Sequence, residues 1–179
     1  MTNSDIPTSP TLIFNADFPD FYVSVNSGKD DGHLYVWNYI LSAVSQVWTL
    51  RKEGNGYRFL STVVKDSNGN LLSDPKTVHV VANHIDGTGP LIGGTLRASS
   101  EFIPVGTTGA LIFRMHYVPS LEAFQIFTRR ERTYLFLTLE SEGNGVWLKL
   151  NESSNQPRQL WKFKPTAPGL RLGPGQTSI

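Results

Sequence analysis

The chain has 179 residues, with 16 Lys plus Arg against 15 Asp plus Glu, and only 17% of it is charged. A net charge of +1 leaves no reservoir of cations for a nucleic-acid backbone or an anionic bilayer, and the absence of cysteine removes disulfides, thiolate metal sites and a thiol nucleophile together. At 39% hydrophobic and 11% aromatic the sequence can bury a core, so disorder is excluded and one domain over residues 1–179 is expected.

Residues 1–10 lack a basic segment followed by an apolar one, and no stretch approaches the roughly 18 apolar residues that span a bilayer. A cytoplasmic protein without membrane insertion is the expectation. Gly and Pro are scattered along the whole chain, and no segment sustains apolar residues at i, i+3, i+4 and i+7, so long helices are not expected. Runs rich in β-branched and aromatic residues with period-2 alternation predict strands at 11–15, 21–26, 33–39, 46–51, 57–64, 77–82, 94–98, 110–117, 123–128, 133–139, 146–150 and 159–164. Glu53-Gly54-Asn55-Gly56, Ser67-Asn68-Gly69-Asn70 and Glu142-Gly143-Asn144-Gly145 fall between runs and supply residues that tolerate positive φ, the ordinary chemistry of hairpin turns. A glycine-rich insertion at 83–94 and a Gly/Pro-rich tail at 165–179 stand outside the pattern.

The strands repeat. Sliding residues 11–50 onto 124–163 without a gap pairs Ile13 with Ile126, Phe14 with Phe127, Asn38 with Asn151, Gln46 with Gln159 and Trp48 with Trp161. Phe21 falls on Tyr134, Val23 on Phe136, Val47 on Leu160 and Leu50 on Phe163, so the apolar alternation keeps its register. The stretch between has room for a third copy, in which Leu111-Ile112-Phe113 falls where a further Trp-containing strand would. Three four-stranded units over about 11–53, 54–120 and 121–164 predict an all-β chain folded as a β-trefoil, a closed barrel without exposed sheet edges.

Gln46-Val47-Trp48 and Gln159-Leu160-Trp161 end the outer two units, and in this the chain resembles the ricin-B-type β-trefoil superfamily. The resemblance implies structural roles for Trp48, Gln159 and Trp161: the indoles in the core, the amide holding a loop. It also implies a sugar site made of an Asp on the second strand of a unit, a ring on the third and polar groups before Gln-x-Trp. The Asp position reads as Ser24 in the first unit, Ser73 in the second and Leu137 in the third. The first unit keeps rings, so a carbohydrate site there would use His33, Tyr35, Trp37, Asn38 and Gln46.

The chain also resembles the mycocypins, cysteine-free trefoil protease inhibitors of mushrooms, in the run from Trp48-Thr49-Leu50 to Gly56-Tyr57-Arg58-Phe59. That resemblance implies a protein partner held by loops, with Asp17, Phe18, Pro19 and Asp20 in one candidate loop and Lys65, Asn68 and Gly69 in another. With the Asp missing from every unit, loop-mediated protease inhibition is the leading expectation and glycan binding the alternative, by a monomer or dimer. No metal spacing, nucleophile elbow or phosphate loop is present, so neither catalysis nor a cofactor is expected.

Overall fold

The computed structural model describes residues 5–41, 43–101, 109, 111–142 and 145–166. Fourteen strands lie among them: β1 (Thr11–Asn15), β2 (Phe18–Val25), β3 (Leu34–Asn38), β4 (Thr49–Glu53), β5 (Gly56–Lys65), β6 (Leu71–Ala82), β7 (Ile85–Asp86), β8 (Gly89–Pro90), β9 (Gly94–Ser99), β10 (Arg114–Val118), β11 (Ala123–Arg130), β12 (Thr133–Glu142), β13 (Gly145–Asn151) and β14 (Trp161–Pro165). Alternation explains them: along β3, Leu34 and Val36 are buried while Tyr35 and Trp37 face outward, as a pleated strand with one wet face requires.

Two strands of each unit close a barrel and two cap it. β4 pairs β5, β10 pairs β11, β11 pairs β14 and β14 pairs β1. The remaining contacts of the ring are the bridges Thr11↔Trp48 and Tyr57↔Phe113. The hairpins β2–β3, β6–β9 and β12–β13 meet one another through Trp147↔Tyr35, Lys149↔Thr95 and the bridge His33↔Arg97. Trp48, Phe113 and Trp161 each sit opposite the first strand of their unit, at Thr11, Tyr57 and Phe124. Phe113 is therefore the middle unit's counterpart of the two tryptophans, and Leu111 stands where the other units have glutamine. This is the β-trefoil.

Hydrogen bonds correct the repeat register. Trp48 Nε1 donates to the Val23 carbonyl and Trp161 Nε1 to that of Leu137, both at 2.9 Å. Gln46 Nε2 donates to Ser24 Oγ and Gln159 Nε2 to Thr138 Oγ1, both at 3.0 Å. Val23 thus matches Leu137 rather than Phe136, and the counterpart of Ser24 is Thr138 rather than Leu137. Two compensating changes hide this from an ungapped comparison. The first hairpin of the third unit is one residue longer, with Phe127 opposite Phe136 where Phe14 faces Tyr22. Its later loop is one residue shorter, since Gln159 accepts from the Ser154 N–H five residues back and Gln46 from that of Ile40 six back. In the middle unit Leu60 faces His79, which puts Val81, not Ser73, in the place of Ser24.

Several elements depart from the predicted strands. Gln46 and Gln159 lie in 3₁₀ turns at Val44–Gln46 and Pro157–Gln159, not in strands, because their side chains bind the loops before them. β6 begins at Leu71, six residues early; Ser73, Asp74 and Pro75 mask the alternation, and a register shift between Val63 and Lys65 accommodates them. β10 begins at Arg114, after the Phe113 bridge, and predicted position Ala110 lies outside the described residues, as does most of the tail. The insertion folds into β7–β8 and is fastened to β11: Arg130 Nη2 donates to Asp86 Oδ2 at 2.7 Å and Nη1 to the Pro90 carbonyl at 2.7 Å.

One cluster beside the barrel makes stability pH-dependent. Arg58 is buried and forms a fork with Glu53, Nε donating to Oε2 at 2.7 Å and Nη2 to Oε1 at 3.0 Å. His79, also buried, lies opposite Leu60 and on the same face as Arg58. Burial, followed by the Arg58 and Arg51 guanidinia, holds the His79 imidazole down to about 4 from an ordinary 6.5. The unfolded chain takes up this proton below pH 6.5 while the folded chain does not until about pH 4, so stability falls as pH drops through that window. A loss of roughly 3 kcal/mol between pH 7 and pH 4 is expected from this group. Urea melts of the wild type and His79→Gln across that range test it: the slope should flatten in the variant, and parallel slopes would exclude His79 as its source.

Candidate functional site

The outward face of β3 and the turn after β2 build a cleft in the first unit. It has a volume of about 350 Å³ and is lined by Ser24, Val25, Ser27, Gly28, Tyr35, Trp37, Ile40, Ala43, Val44, Ser45, Gln46, Val64 and Lys65. Tyr35 and Trp37 share one face because they are two apart on a strand, and their ring centroids lie 5.9 Å apart. Tyr35 also meets Trp147 at 6.3 Å, and Trp147 meets His33 at 5.4 Å, so an aromatic row runs from the cleft toward the centre of the cap. Trp37 ends that row at the rim with 49% of its surface exposed, beside Ile40 at 48%. Tyr35 is half-buried, and this burial raises its phenol pKa against the lowering effect of a hydrogen bond from the Ser27 backbone.

The polar groups at the floor are scaffold. Gln46 Oε1 accepts the Ile40 N–H at 2.9 Å while its Nε2 donates to the Asn38 carbonyl at 2.7 Å and to Ser24 Oγ at 3.0 Å. Ser24 Oγ in turn donates to the Tyr22 carbonyl at 2.8 Å. Gln46 therefore ties the loop after β3 to the barrel and has little amide left for a ligand. Gly28 has φ of +61° and packs against Ser45, so a side chain at this turn would be strained and would narrow the cleft.

The structure gathers some of the predicted residues and separates others. Tyr35, Trp37 and Gln46 share the cleft; Asn38, at the end of β3, contributes its carbonyl to the Gln46 clamp. His33 stands apart on the cap, 3.2 Å from Asn83 Nδ2 and packed on Trp147. Of the loop residues chosen for protein contacts, Lys65 lines the cleft itself. Asn68 and Gly69 form a tight turn closed by Asp66, whose Oδ1 accepts both the Asn68 and Asn70 N–H groups at 2.9 Å. Phe18 is not in a loop: it opens β2, is half-buried against the core and meets Phe21 edge to face at 6.4 Å. Asp17 is exposed in a turn pinned by buried Asn15, whose Oδ1 accepts its N–H, while Pro19 and Asp20 are exposed on β2 and so belong to a strand, not to the expected loop. Ser27, Gly28, Ser45 and Val64 were not legible as site residues, since nothing in their local sequence marks them; three separate segments bring them together.

The other two units lack this combination. In the middle unit the places of Ser24 and Trp37 hold Val81 and Ser99, both buried. In the third, Asn151 replaces Trp37 and Lys149 replaces Tyr35, and both turn to Glu140: Asn151 Nδ2 donates to Oε1 at 3.0 Å and Lys149 Nζ lies 3.5 Å from Oε2. Among the described residues no three His, Asp or Glu side chains gather as a metal ion would need.

No family model and no curated protein matches this sequence. Solved structures do match in fold. The ricin B-like lectin of Macrolepiota procera, in complex with lactose, superposes with a TM-score of 0.61 at 16% identity, over 90% of this chain and 98% of that one. The agglutinin of Rhizoctonia solani gives 0.60 at 15% identity, over 89% of this chain and 96% of that one. A designed three-fold symmetric protein, ThreeFoil, gives 0.56 at 14% identity, over 86% and 96%. The mycocypin resemblance finds no support in these matches. The chain has the β-trefoil fold that these structures share.

Proposed function

We propose that this protein binds glycans, without catalysis, in the cleft of its first unit. The observation that carries this reading is Trp37: a half-exposed ring braced from behind by Tyr35, at the mouth of a cleft of sugar size. A pyranose presents an apolar C–H face that packs on such a ring, and a ring already held in place loses little conformational freedom on binding. The fold-level likeness to lectins, one of them solved with lactose, adds support. Glycan binding takes precedence over protease inhibition because the candidate inhibitory loops offer less than the sequence suggested. Phe18 is packed into the molecule, and Asn68 sits in a turn that satisfies itself.

A glycan array with purified wild type and Trp37→Ala tests the proposal. Selective glycan signal is expected from the wild type, and at least tenfold weaker binding from the variant, a loss of about 1.4 kcal/mol or more. Its melting temperature should stay near wild type, since the ring is at the surface. A blank array, or an unchanged profile for Trp37→Ala, would remove the cleft from consideration. A panel of papain-like, asparaginyl, trypsin-like and pepsin-like proteases beside the array tests the displaced alternative.

A further inference from the structure

We infer that the cleft selects acidic glycans, whose terminal sugar carries a carboxylate or sulfate, over neutral ones; this rests on the glycan reading above. The argument is a balance of donors, acceptors and charge. Neutral sugars present hydroxyls, which are commonly oriented by an anionic acceptor. Among the described residues no Asp or Glu lines this cleft, and the charged residue that does is Lys65. Ser24 cannot substitute for a carboxylate, because its hydroxyl already donates to the Tyr22 carbonyl and accepts from Gln46.

Among the described residues the neighbouring carboxylates stay off the cleft wall. Lys29, next to the lining residue Gly28, is joined to Lys65 by a backbone bridge, so two cations share this edge. The two carboxylates closest in sequence are engaged elsewhere. Asp66 accepts the N–H groups of its own turn at Asn68 and Asn70. Asp30 accepts the Ser100 N–H at 2.8 Å and the Ser100 hydroxyl as well. A ligand that stacks a pyranose on Trp37 and directs an anionic substituent toward Lys65 meets an apolar wall and a cation together, whereas a neutral ligand leaves the ammonium to water. An ammonium acts as a point charge, so it serves carboxylate and sulfate alike.

Titration of the full chain with lactose, 3′-sialyllactose and lactose 3′-sulfate tests this, in 20 mM and 300 mM salt. The acidic ligands should bind at least tenfold more tightly than lactose in low salt, and the ratio should shrink in high salt. Lys65→Gln should lower the acidic-to-neutral ratio at least fivefold, Lys65→Arg should largely restore it, and Lys164→Gln, on the distant β14, should leave it unchanged. The two acidic arms distinguish a carboxylate from a sulfate preference, and a preference for either sustains the inference. Equal affinities for all three ligands, each lost in Trp37→Ala, would overturn the acidic preference and leave the cleft as a neutral-sugar site. Failure of every ligand, or binding indifferent to Trp37→Ala, would overturn both the cleft and the preference built on it.

Discussion

Trp48→Ala is expected to cost about 3–5 kcal/mol of stability, and Trp161→Ala the same. Both indoles are fully buried, and each spans from the barrel to a cap hairpin through a 2.9 Å hydrogen bond, to Val23 in one case and Leu137 in the other. Truncation removes a large apolar surface, opens a void that a closed barrel cannot collapse around, and leaves a buried carbonyl without its donor. The middle unit supplies an internal control, because Phe113 fills the equivalent place, opposite Tyr57 and with its ring 4.9 Å from that of Phe59. Trp48→Phe should therefore cost about half as much as Trp48→Ala. Urea midpoints for the three proteins decide the matter. If the phenylalanine variant is as unstable as the alanine variant, the hydrogen bond dominates and the pseudo-threefold argument for tolerance fails.

Glu53→Ala is expected to cost about 3 kcal/mol, a large effect for a residue with a partly exposed side chain. The reason lies in its partner. Arg58 has 1% of its side chain exposed, and removing the carboxylate takes both charge-assisted bonds of the fork from a buried guanidinium. The same fork, with lesser help from the Arg51 charge, holds the Glu53 carboxyl below the usual range. Its contribution is fully present above the unfolded pKa and is lost as pH falls through the folded one, adding to the acid lability expected from His79. Arg58→Met keeps most of the packing volume and removes the charge, so it should cost less than half as much as Glu53→Ala. The double variant should lie close to Arg58→Met. A Glu53→Ala variant within 1 kcal/mol of wild type would show that other groups around Arg58 satisfy its charge.

Local sequence carried a great deal of the fold. The alternation in residues 33–37, the Asn-Gly turns and the two Gln-x-Trp segments depend on interactions between near neighbours, and they led to strands, hairpins and a three-unit barrel. Where a segment's conformation depends on a distant partner, the local pattern misled. Gln46 and Gln159 leave the strand pattern to bind their own loops. Phe18 reads as a loop residue until Phe21 and the core are placed beside it. β6 runs through Pro75 because its pairing with β5 shifts register there, with the additional residues on β6 itself.

The sequence by itself determined that the chain is all-β, that it is built from three related units, and that Trp48 and Trp161 belong to the core. Only the tertiary structure decided the register between units, because a residue gained in one hairpin and lost in the following loop cancels in any ungapped comparison. It also decided which residues share a cleft. Lys65, Gly28, Tyr35 and Ser45 come from separate segments, and their meeting is a property of barrel closure, to which no local period in the sequence corresponds.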